Sequence, residues 1–177
     1  MRMNIARRYL LETDTWAPIR RGRAALVGLA LAIAMVCGGQ ARAEDPLLTV
    51  NTADGAADFT RAELAALRQV TFETGTIWTE EPRSFTGPPL SVVLEAAGAE
   101  DGEIRLVALN DYAISIPMSE IGADYPIVAH EIDGAPFPVR QKGPLWVVYP
   151  YDQDPAYQSE VIYGRSIWQL REITVQP

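Results

Sequence analysis

Apolar and polar positions change period several times along the chain, and the changes mark out its elements. Residues 47–50 form a short apolar run that reads as an edge strand. Thr60-Arg61-Ala62-Glu63 stands before Leu64, Ala65, Ala66 and Leu67, the spacing of a capping box, so a short helix starts there. Residues 70–72 predict a strand that enters the irregular stretch 72–90, FETGTIWTEEPRSFTGPPL, which keeps neither a strand nor a helix period. After Pro88-Pro89, Leu90, Val93, Leu94 and Ala97 share one helical face, and Gly98 ends that helix.

The second half reads as strand. Residues 104–109 and 112–116 are two strands, the second stopping at Pro117. Residues 127–132 lead into Asp133-Gly134, a hairpin dipeptide. Residues 145–149 are almost continuously apolar, which predicts a central strand buried on both faces, and residues 166–175 close the domain with an imperfect alternation. The 13 prolines fall mostly in connections, which predicts long loops over one end of the sheet. The fold class is α+β, a mixed β-sheet with two or three short helices.

The first 43 residues follow another pattern. Arg20, Arg21 and Arg23 precede an apolar run over 24–36, and Ala41-Arg42-Ala43 follows. These are the parts of a secretory signal peptide, and the apolar run is shorter than the ~20 residues of a membrane-spanning helix. The division is therefore a signal peptide over 1–43 and a domain over 44–177, exported to the periplasm and free of the membrane after cleavage. Arg7-Arg8 and Arg20-Arg21 match a twin-arginine signal only loosely, which favours the general export route.

Charge narrows the partners. Residues 44–177 carry eight basic against 21 acidic side chains, a net of −13. That excludes nucleic acid and anionic membrane surfaces as partners. The single cysteine, Cys37, lies in the signal segment, so the domain has no thiolate and no disulfide. With one histidine, His130, and no G-x-S-x-G elbow, no nucleophilic catalytic set and no histidine–cysteine metal site can be assembled. Asp152 and Asp154 read as solvated loop charge. The basic residues are more telling. Arg140 and Lys142 flank a loop ending in Gly143-Pro144, and Arg165 stands in Tyr163-Gly164-Arg165-Ser166. If the two loops meet, they form a small positive pocket on an acidic body, walled by Trp78, Tyr112, Trp146 and Trp168, suited to an anion bearing an aromatic ring.

The same pieces, in order, carry a resemblance. Residues 72–90, Leu109-Asn110-Asp111-Tyr112 through Pro117, residues 127–137, and Gly143-Pro144-Leu145-Trp146-Val147-Val148-Tyr149-Pro150 resemble the oxidoreductase molybdopterin-binding domain, the fold of sulfite oxidase. The resemblance runs from about residue 47 to about 175. It implies an α+β domain holding a molybdopterin cofactor at the ends of its strands and transferring oxygen atoms. It also implies a metal-ligating cysteine shortly before a Trp-Ser or Trp-Thr pair. Here Trp78-Thr79 is that pair and Thr74 falls at the cysteine position. A threonine hydroxyl is a poor ligand for a soft metal. Where the family often has His-Gly-x-Pro-x-Arg, this chain has Lys142-Gly143-Pro144-Leu145-Trp146, and the closing motif is altered to Arg165-Ser166-Ile167-Trp168. The implied cofactor site, Thr74, Trp78, Tyr112, Arg140, Lys142 and Arg165, thus lacks its metal ligand. Three functions stay open: a non-catalytic member using the cleft for a small anionic or aromatic ligand or a partner protein, an active molybdopterin oxidoreductase with non-cysteine ligation, and a structural or interaction module with no ligand.

Overall fold

The computed structural model describes residues 44–176. The expected signal peptide, its cleavage after Ala43 and Cys37 lie outside the described residues. The elements in chain order are β1 (Leu48–Thr52), β2 (Gly55–Phe59), α1 (Arg61–Ala66), β3 (Val70–Thr74), β4 (Arg83–Gly87), α2 (Leu90–Ala96), β5 (Glu103–Ala108), β6 (Ala113–Pro117), β7 (Ile127–Ala129), β8 (Glu131–Ile132), β9 (Ala135–Pro136), β10 (Trp146–Val148), α3 (Glu160–Arg165) and β11 (Leu170–Gln176). They form a five-stranded sheet in the order β2-β1-β11-β5-β6, a four-stranded sheet β3-β4-β8-β9, and the pair β10-β7. The large sheet is mixed: β1 and β11 run parallel, and its other pairs are antiparallel. The α+β class read from the sequence holds, distributed over three sheets.

Local chemistry explains the elements. Thr60 caps α1 as its spacing implies: its hydroxyl accepts from the Glu63 amide at 3.2 Å, and the Glu63 carboxylate accepts from the Thr60 amide at 2.7 Å. Helix α2 buries Leu90, Val93 and Leu94, and Gly98 at φ +78° carries the chain out of it. Asp133 and Gly134 both take positive φ, the condition for the two-residue turn that joins β8 to β9.

Four expectations are corrected. Residues 47–50 are not an edge: β1 lies between β2 and β11, and the edge strand is β2, whose Gly-Ala-Ala-Asp composition gave no strand signal. Residues 127–132 are not one strand. The chain breaks at His130, so that β7 pairs with β10 and β8 with β4. This crossing is tight, because a Cβ on Gly87 would stand 2.1 Å from the carbonyl oxygen of Val128. The 145–149 run is buried throughout, but its strand β10 belongs to a two-stranded pair, while β11 occupies the middle of the large sheet. Arg165 is not in a loop but ends α3, a helix capped by Ser159.

Trp146, Val147 and Val148 are all buried, and the Val147 amide bonds to the carbonyl of Ile167 at 2.9 Å. Val147→Asp places an unpaired carboxylate in this core, a cost of several kcal/mol against a total stability of about 5–15 kcal/mol. Expected is loss of the cooperative melting transition by circular dichroism; an unchanged Tm contradicts this placement.

Candidate functional site

Thr74 ends β3 and is 1% exposed. Its hydroxyl is fully engaged. It accepts from the Asp152 amide at 3.2 Å and donates toward the Asp152 carboxylate at 3.2 Å and the Gly75 carbonyl at 3.3 Å. The same carboxylate oxygen accepts from the Gly75 amide at 2.5 Å. A turn after β10 thus brings Asp152 back onto the end of β3 and closes it. Asp152, read from the sequence as loop charge, is the residue that sequence reasoning missed. It lies 78 positions from Thr74, and nothing in its local spacing announces the partnership.

Beyond this closure Trp78 is the centre of an aromatic cluster. Its ring centroid lies 5.5 Å from Trp168, 5.8 Å from Trp146, 5.8 Å from Tyr163 and 6.4 Å from Tyr151, each in an edge-to-face arrangement. Such pairs contribute about 0.5–1.5 kcal/mol each beyond their buried area. The turn carrying Trp78 is held by the Thr76 hydroxyl, which accepts from the Trp78 amide at 3.0 Å and bonds the Thr79 hydroxyl at 3.0 Å. The polar tips of the cluster are satisfied internally. Trp146 Nε1 donates to the Ser166 carbonyl at 3.2 Å, and the Tyr151 hydroxyl donates to Ser166 Oγ at 2.6 Å, which donates on to the Ile162 carbonyl at 2.8 Å.

The expected basic residues are divided by this cluster. Arg140 and Lys142 line an open groove of about 590 Å3 that also includes Arg83, Phe137 and Trp146. Lys142 takes a left-handed φ of 72°, and its Nζ stands 5.8 Å from the Trp146 ring and 5.7 Å from the Trp168 ring. Arg165 does not join them. Its guanidinium, 13% exposed, is paired with Glu120 at 2.6 Å. It also lies beside Tyr149, whose phenol burial pushes up to about 12 despite the opposing pull of the Arg165 charge. Tyr112, Trp78 and Trp168 line a separate cavity of about 290 Å3 with Tyr163, Asn110 and Ser166. The single positive pocket expected from the sequence is therefore two sites back to back, with Arg165 serving neither. The reason is local: α3 turns the Arg165 side chain toward the carboxylate after β6.

Cation commitments sharpen the contrast. Among the described residues, Arg68, Arg83, Arg165 and Arg171 are paired with carboxylates, and Arg61 donates to the His130 carbonyl. Arg105 on β5 is exposed and lines neither pocket. Arg140 and Lys142 likewise have no carboxylate partner, and both line the same groove.

His130 is buried and structural. Gln69 donates its amide to the carbonyls of Leu64 and Leu67, which leaves Gln69 Oε1 facing His130 Nε2 at 2.9 Å. Oε1 only accepts, so Nε2 carries the proton and Nδ1 is the unpaired lone-pair nitrogen, buried without a partner. Burial holds the imidazole pKa below its usual value, against the pull of Glu131 and with the help of Arg61.

The fold and the ordered loops define a class. The family described as the oxidoreductase molybdopterin binding domain matches residues 32–153, and the chain belongs to that family. Among solved structures it is similar to the sulfane dehydrogenase SoxCD from Paracoccus pantotrophus, with a TM-score of 0.54 and 16% identity over 72% of this chain. That match spans 37% of the SoxCD chain, so what is shared is the fold. Among curated proteins none matches the chain.

The residues do not fit the cofactor that the family name implies. Thr74, which the sequence resemblance sets at the thiolate position, has its hydroxyl spent on Asp152 and Gly75. Trp146, which the sequence resemblance sets at an arginine position, is 1% exposed and packs on Phe85 and Trp78. Among the described residues no group of three or more His, Cys, Asp or Glu side chains gathers to hold a metal.

Two outcomes are expected. Asp152→Ala removes the acceptor of the Gly75 amide and of Thr74, lowering stability by about 1–3 kcal/mol in urea unfolding. Acidification below about pH 6.5 destabilises the protein through His130, because the unfolded imidazole binds its proton there while the folded one does so only at lower pH. His130→Gln removes that part of the loss, read as the difference between the two unfolding midpoints across pH 5–7.5.

Proposed function

We propose that this chain is an exported, non-catalytic member of its family that binds a small anionic ligand in the groove of Arg140 and Lys142. The observation that carries this reading is the closure of Thr74 by Asp152: the strand end where relatives would present a metal ligand is hydrogen-bonded shut. Arg140 and Lys142 supply uncommitted positive charge beside the Trp146 ring, which suits a carboxylate or similar anion attached to a flat apolar group. Export is supported by the arginines, the short apolar run and the Ala41-Arg42-Ala43 site, and the acidic body disfavours polyanions. An active molybdopterin oxidoreductase with non-cysteine ligation is the second reading, favoured by family membership alone.

Metal analysis separates the two. Wild type and Thr74→Cys are produced in a host that makes the cofactor, and bound molybdenum is measured in each. The proposal expects none in either; stoichiometric molybdenum in the wild type overturns it. For the groove, benzoate is the probe. Arg140→Ala and Lys142→Ala are each expected to weaken its binding about tenfold, and Arg165→Ala to leave it unchanged. Equal losses from all three would restore the single-pocket arrangement.

A further inference from the structure

The cavity on the other side of the tryptophan wall has a different character. Trp78, Tyr112, Tyr163 and Trp168 reach it from four separate segments, and no charged side chain lines it. Of its polar side chains, the Ser166 hydroxyl is already used by Tyr151 and Ile162, and Asn110 Oδ1 accepts from the Tyr112 amide at 3.2 Å. The Tyr112 hydroxyl donates to the Gly164 carbonyl at 3.3 Å, which joins the β5–β6 turn to the end of α3 at the cavity. Tyr112 is 49% exposed, so one long hydrogen bond restrains an otherwise free ring.

We propose that this cavity is an aromatic cage for a small methylated ammonium cation of the choline type. The faces of its rings carry the negative lobe of the aromatic quadrupole and attract cations. A primary ammonium, strongly hydrated, would require a carboxylate in the lining, and none stands there. A quaternary ammonium carries its charge on methyl groups that need only ring faces. An anion finds no partner, since no basic side chain lines the cavity, Arg165 is neutralised by Glu120, and Arg140 and Lys142 face the groove. The field of a domain with a net charge of −13 enriches cations at its surface. The cluster already seats one cation from its groove side, where Lys142 stands over Trp146 and Trp168. A volume of about 290 Å3 accommodates choline with room for its hydroxyl. This site is independent of the anion groove.

The test compares choline with its uncharged isostere 3,3-dimethylbutan-1-ol and with ethanolamine, by calorimetric titration of the purified protein. Choline is expected to bind about tenfold or more tightly than either. Equal or tighter binding of the isostere would overturn the proposal and leave an apolar cavity for neutral ligands, and no choline binding would overturn it outright. Because Tyr112 is half exposed, its variants should fold. Tyr112→Phe should retain choline and Tyr112→Leu should weaken it about fivefold; equal affinity of the two variants for choline contradicts the cage. Lys142→Met should weaken benzoate at the groove without weakening choline, whereas parallel weakening of both would show one shared site and overturn the proposal of an independent cage.

Discussion

Trp78 is the ring on which the rest of the site depends. It touches Trp146 of β10, Tyr151 beyond it, Tyr163 of α3 and Trp168 before β11, so four stretches of chain meet on one side chain. Each pair is worth little alone, but the four together cannot be made unless all four stretches are in place. The Thr74–Asp152 closure ties the segment of Trp78 to that of Tyr151 a second time, from the end of β3. Aromatic packing and hydrogen bonding therefore hold this region together.

That arrangement also decides where charge goes. In this acidic body four of the eight cations are paired with carboxylates, and the tryptophan wall separates Arg140 and Lys142 from the uncharged cavity on its other side. One face offers positive charge beside a ring, and the other offers rings without charge. The two faces suit ligands of opposite sign while sharing Trp146 and Trp168 as a partition.

Much of the fold could be read from local chemistry. The capping box at Thr60 and Glu63, the apolar stripe of α2 and the Asp133-Gly134 turn are each specified within a few residues, and each formed as its residues dictate. The strand β2 and the break at His130 were not legible. Ala56 and Ala57 have no strand preference, and they pair because β1 supplies a partner edge. The break depends on Gly87 meeting the backbone of Val128, a contact between distant segments. At the site, the tryptophans and Lys142 could be named from composition and order. The Asp152 closure and the diversion of Arg165 to Glu120 could not, because each joins residues more than 40 positions apart.

The proposed non-catalytic reading requires that the packing around Trp78 and Thr74 hold without a bound cofactor. The most direct measurement is the thermal unfolding of the protein isolated from two hosts, one able to make molybdopterin and one not. A tightly bound group that leaves on unfolding raises Tm by mass action. Identical melting transitions are predicted for the two preparations. A Tm that is higher in the preparation from the cofactor-making host would contradict the account.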